Sequence, residues 1–183
     1  MSLKIVAVFH ASKVVGLGGS LDAVAANPPM TIDGMEEIHK ILPAIEAYGP
    51  FASMYCSRLA RAGDAASVIA TAFDMDYQTI KKLGQHANMD GKILRYYPGF
   101  EKDNFLTWQA DGIEALKSLA GKHGRRGETV IVVSHRPILG GVVAHCQGAK
   151  SPEEVYATVC DQATVGKGFR IFEVTYDSIK LLE

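Results

Sequence analysis

The stretch that decides the fold is KIVAVFHASK, residues 4–13. Five apolar residues, Ile5 to Phe9, run without alternation and stop at His10, after which the chain turns polar and glycine-rich. A continuous apolar run of this length predicts a strand buried on both faces, here over residues 4–9. A second run behaves the same way: ETVIVVSH, residues 128–135, ends in His135, and Pro137 is placed to open a helix. A third predicted strand, FASMYC at 51–56, leads into SRLAR, which puts Ser57, Arg58 and Arg61 at a helix start.

Helical stretches separate these strands. Asp33, with Glu36 three residues on, predicts an N-cap, and Met35, Ile38, Ile41, Leu42 and Ile45 then share one face. Pro43 lies inside that pattern and is expected to kink the helix or end it early. Residues 57–73 and 104–123 read as further helices, 77–83 as a short strand, 152–160 as a short helix and 169–182 as a closing hairpin. Residues 11–32 and 84–104 read as irregular. Alternating strands and helices predict an α/β fold, a three-layer sandwich whose mostly parallel central sheet is flanked by helices. Ligands of such sheets bind beyond the carboxyl ends of the strands. His10, Arg61 and His135 are therefore expected to converge on one edge, where a guanidinium, two imidazoles and a helix start describe an anion site.

The whole chain sets the frame. Its 183 residues are read as one domain, 1–183, with ordinary globular composition, 48% apolar and 21% charged. A net charge of −1 gives no reason to expect nucleic acid or an anionic membrane as partner. No apolar run approaches the ~20 residues of a membrane span. The N-terminus lacks the pattern of a signal peptide. Cys56, Cys146 and Cys160 are widely spaced, without a C-x-x-C, which argues against a disulfide framework or structural zinc and fits a reducing cytosol. The expected location is cytoplasmic.

Four segments in order resemble the histidine phosphatase superfamily, the phosphoglycerate-mutase-like proteins. FHASK (9–13) corresponds to that family's Arg-His-Gly, or Arg-His-Ala-Lys-Ser in one small branch. MTIDGMEEI (30–38) corresponds to its Leu-Thr-x-x-Gly helix entry, SRLARAGDAA (57–66) to its Ser-Pro-Leu-x-Arg-Ala segment, and VIVVSHRPI (130–138) to its Ser-His strand end. The resemblance runs from about residue 4 to the end. It implies catalytic roles for His10, as the residue that takes the phosphoryl group, and for Arg61 and His135, which would hold its oxygens. It implies no metal and no cofactor, and a small phosphorylated substrate or a phosphoprotein as partner.

Two departures matter. Phe9 stands where the family has an arginine, and losing such a donor costs ~10²–10³ in rate. Lys13 and Arg58 are candidate substitutes and, with Ser57, candidate substrate-binding residues. Phe9 either seals the pocket floor as core or lines the site, and the second is the expectation because the fold accommodates an arginine there. The acid that would protonate the leaving group is also missing from its family positions, where Gln85 and Arg136 stand. His86, Asp90 and Glu101 lie nearby in sequence.

Three other readings compete with this one. A cysteine phosphatase needs five residues between cysteine and arginine, and Cys56 and Arg61 enclose four. The glycines of GLGGSL (16–21) miss the dinucleotide spacing G-x-G-x-x-G. The remaining alternative is a non-catalytic family member that binds a phosphorylated ligand or a protein partner.

Overall fold

The computed structural model describes residues 2–10, 29–84 and 103–183. Among the described residues, six strands form one sheet: β1 (Leu3–Phe9), β2 (Ser53–Cys56), β3 (Tyr77–Thr79), β4 (Thr129–Ser134), β5 (Phe169–Val174) and β6 (Ile179–Leu181). Their spatial order is β3-β2-β4-β1-β5-β6. The first four run parallel to one another, while β5 is antiparallel to both β1 and β6, so the sheet is mixed. Helices cover both faces, which makes the architecture the expected α/β sandwich.

Side-chain alternation along the strands divides the core. Leu3, Ile5, Ala7 and Phe9 of β1 join Val130 and Val132 of β4 on one face. That face is covered by α3 (Asp103–His123) and α4 (Arg136–Cys146), through Leu116, Leu119, Leu139 and Val142. Val6 and Val8 join Ile131 and Val133 on the other face. There they meet α1 (Ile32–Glu46), through Ile38 and Ile45, and α2 (Ala60–Phe73), through Ala62, Ala65, Ala66 and Ile69. The short α5 (Pro152–Cys160) adds Val155 and Val159 to a satellite cluster around Trp108 and Ile138. Helices α3 and α4 pack closely because Gly112 presents no side chain, and a Cβ there would lie 2.9 Å from a Val142 methyl.

Several predicted boundaries move. Thr31, not Asp33, caps α1: its backbone is extended and its hydroxyl accepts from Gly34 N–H at 3.0 Å, which leaves Asp33 inside the first turn. Pro43 does not end α1 early; the helix runs to Glu46, and buried Ile38 and Ile45 hold it against the sheet on either side of the proline. Met35 stays 41% exposed rather than joining the buried stripe. Helix α2 starts at Ala60, three residues later than predicted, because Ser57 N–H still pairs with Val133 O beyond the end of β2. Strand β3 stops at Thr79, and a 3₁₀ turn over Lys81–Leu83 follows, burying Leu83 completely. Helix α5 and the β5–β6 hairpin lie where the sequence puts them. Among the described residues, no helix is long and apolar enough to cross a membrane.

Candidate functional site

Strands β2, β4 and β1 are neighbours that point the same way, so the residues after them meet on one edge. Backbone pairing continues just past the strand ends and fixes the two outer positions. His10 N–H donates to Ser134 O at 3.0 Å, and Ser57 N–H donates to Val133 O at 3.0 Å. His135 follows β4 directly and is the N-cap of α4, with its carbonyl accepting from Leu139 N–H at 2.9 Å. Arg61 lies in the first turn of α2.

The side chains converge. Arg61 Nε–H donates to His10 Nε2 at 3.2 Å. The rings of His10 and His135 stand 4.9 Å apart between centroids, tilted by 58°. His135 Nε2 lies 2.7 Å from Ser57 Oγ. His10 is half-buried, whereas Arg61, Ser57 and His135 are buried.

These contacts carry chemical information. A guanidinium has only donors, so the His10 nitrogen that faces it presents a lone pair. A lone pair on Nε2 is what an attacking imidazole needs. Burial pushes the Arg61 guanidinium down to about 10, which leaves it charged at neutral pH. A charge held there at 4% exposure favours an anion that would offset its lost hydration.

Other sequence-predicted residues fall elsewhere. Arg58 is exposed in the turn before α2. Lys13, Gln85, His86, Asp90 and Glu101 lie outside the described residues. Phe9 corrects the expectation that it lines the site. It is 4% exposed and belongs to the α3–α4 side of the core, whereas His10 meets Arg61 on the α2 side. The cause is strand alternation, which still holds at the last residue of β1. Arg136 turns away as well: its guanidinium donates to Val159 O at 2.6 Å, Cys160 O at 3.1 Å and Asp161 O, binding the last carbonyls of α5. Cys56 is fully buried and its thiol is pushed up to about 11 by desolvation, so it is no thiolate nucleophile at neutral pH.

Sequence reasoning missed what holds Ser57 in place. Ser134 Oγ–H donates to Leu83 O at 2.6 Å and pins the 3₁₀ turn to the sheet. Gly84 then lies against the serine, and a Cβ there would come within 3.1 Å of Ser57 Oγ. The available signal was Ser134 itself, a polar residue ending the apolar run Val130–Val133.

Solved structures match this arrangement of sheet and helices over nearly the whole chain. A Bacillus stearothermophilus protein, YhfR, is 17% identical with a TM-score of 0.72, covering 98% of this chain and 95% of its own. The chain has the histidine-phosphatase, phosphoglycerate-mutase-like fold. On the same fold, a phosphoserine phosphatase from Entamoeba histolytica is 16% identical with a TM-score of 0.68, covering 99% of this chain and 95% of its own. A phosphoglycerate mutase from Plasmodium falciparum is 15% identical with a TM-score of 0.55, covering 100% and 89%. The histidine-phosphatase fold thus carries both a phosphatase and a mutase, and at these identities it fixes architecture alone. No protein-family model and no curated protein matches the chain.

Proposed function

We propose that the chain is a histidine-dependent phosphatase. His10 Nε2 attacks the phosphorus of a phosphomonoester, the ester P–O bond breaks, and the phosphoryl group passes to the ring while the leaving oxygen takes a proton from solvent water. Water then attacks the phosphohistidine, the P–N bond breaks, and inorganic phosphate leaves with His10 restored. Arg61 and His135 hold the phosphoryl oxygens, with Arg58 and Lys13 as further candidate contacts. The incoming phosphate competes with His10 Nε2 for the Arg61 guanidinium and so uncovers the nucleophile. The chemistry needs no metal, and the substrate class is a small phosphorylated compound or a phosphoprotein.

The observation that carries this reading is the contact of Arg61 Nε with His10 Nε2, beside His135, at the carboxyl edge of parallel strands. Phe9 in the core leaves the place of the family's arginine without a guanidinium, so turnover is weak. A second reading, a non-catalytic member that binds a phosphorylated ligand or protein, is favoured by the same burial of Phe9 and by the commitment of Arg136 to α5. Hydrolysis of a generic phosphomonoester, measured beside a His10→Ala control, separates the two. Turnover that disappears in the control supports the phosphatase, and phosphate binding without turnover in either protein supports the binding module.

A further inference from the structure

The hydroxyl of Ser57 is committed from two sides. Leu59 N–H donates to Ser57 Oγ at 3.2 Å, in the turn that leads into α2. His135 Nε2 stands 2.7 Å from the same oxygen. Both groups are closed off: Ser57 is 1% exposed and His135 is 0% exposed.

A hydroxyl has one proton to give. With Leu59 N–H already donating to Oγ, the acceptor within reach for the Ser57 proton, among the described residues, is His135 Nε2. That assignment makes Nε2 the lone-pair nitrogen and puts the ring's proton on Nδ1. An imidazolium at His135 would instead donate from Nε2 and force the serine proton elsewhere in a buried space. It would also add a positive charge near the buried Arg61 guanidinium, which is bonded to the neighbouring His10 ring. The serine's single proton therefore favours a bare Nε2.

We propose that Ser57 is a positioning residue, which holds His135 neutral and protonated on Nδ1, and that it does not bind the phosphate itself. The two histidines then receive different hydrogen-bonding roles from their partners. Arg61, a pure donor, keeps Nε2 of His10 as a lone pair. Ser57, as donor to Nε2 of His135, leaves Nδ1–H as that ring's own donor. The turn that carries Gly84 is pinned through Ser134 Oγ–H to Leu83 O, and a Cβ at Gly84 would come within 3.1 Å of Ser57 Oγ. The consequence for catalysis rests on the phosphoryl-transfer reading above; the state of the ring does not.

The test is nitrogen NMR of ¹⁵N-histidine-labelled protein at neutral pH, with the His135 signals assigned by their loss in His135→Gln. The wild-type ring is expected to show a protonated Nδ1 and a bare Nε2. Ser57→Ala is expected to lose that pattern and to lower kcat for a phosphomonoester by up to about 10²-fold with KM little changed, as for a misplaced catalytic group. Ser57→Thr, which keeps the hydroxyl, restores the pattern. A wild-type ring protonated on Nε2, or on both nitrogens, overturns the proposal without any variant having to fold. So does a Ser57→Ala protein that keeps the wild-type ring pattern, or one in which KM rises while kcat holds, the signature of a lost phosphate contact. Wild-type protein that shows the Nδ1–H ring but no turnover supports the assignment and removes the phosphatase reading instead.

Discussion

Replacing Phe9 with arginine puts a guanidinium where the resemblance to the histidine phosphatases expects one, and the structure argues that the change harms the fold without helping the site. Phe9 is 4% exposed and shares a core cluster with Ala7, Tyr55, Leu83 and Leu139. Its backbone is held by Gly168 O, which accepts from Phe9 N–H at 3.0 Å, and by the pairing of residue 9 with Ser134. The side chain cannot cross to the His10 face without breaking that register. Losing the buried ring removes about 2–3 kcal/mol of apolar burial. An unpaired guanidinium in the same place adds a desolvation cost, bringing the total to roughly 3–5 kcal/mol, the range of severe core substitutions. For a chain of this size each kcal/mol shifts Tm by about 2–4 °C, so Phe9→Arg is expected to melt roughly 6–20 °C lower. Phe9→Leu, which stays apolar, is expected to cost only about 1–2 kcal/mol. Denaturant midpoints and phosphomonoester turnover per folded molecule, measured on all three proteins, check this. A Phe9→Arg protein with the wild-type midpoint and about 10²-fold higher turnover would refute the reasoning and show that the arginine reaches the phosphate.

Three further outcomes follow from single contacts. Arg61→Ala is expected to weaken phosphate binding by about tenfold or more, since charge-assisted hydrogen bonds are worth ~1.5–3 kcal/mol, and Arg61→Lys recovers only part because the fork is lost; titration calorimetry with inorganic phosphate reads both. Arg136→Ala frees the carbonyls of Val159, Cys160 and Asp161 at the end of α5 and is expected to lower stability by about 1–2 kcal/mol in chemical denaturation, without the catalytic loss that removing an acid would cause. Glu128 is held below the usual carboxylate range chiefly by its hydrogen bond with His123. Its contribution to stability is therefore complete above the pKa it has when unfolded and is lost as pH falls through the lower folded value, so Glu128→Gln should flatten the acid limb of a stability–pH curve.

Much of the candidate site's placement was legible because its residues sit where strands end. Continuous apolar runs announce β1 and β4, and the histidines that stop them are placed on the sheet edge by topology alone. Arg61 needed the resemblance as well, since a helix-start arginine alone is a common surface residue. Residue-level orientation was harder to read. Phe9 and His10 are adjacent in sequence, and only the pairing of residue 9 with Ser134 shows that strand geometry persists to the last position and separates the two onto opposite faces. Thr31 outcompetes Asp33 as a cap because its extended backbone aims the hydroxyl at Gly34 N–H, a choice that spacing alone does not settle. Arg136 looked like a lost acid, whereas its partners are carbonyls of α5, more than twenty residues away in sequence. The grip on Ser57 is of the same kind, assembled from His135, Leu59 and the turn at Gly84, which only the folded chain brings together.

His10 is proposed to be the nucleophile that takes the phosphoryl group, and the most direct measurement is to trap that group on it. The protein is mixed with a ³²P-labelled phosphomonoester, quenched in alkali, and the label located by peptide mapping. The expected result is an acid-labile, base-stable label on His10 that is absent from His10→Ala. A label on another residue such as Cys56, or turnover undiminished in a folded His10→Ala protein, would contradict it.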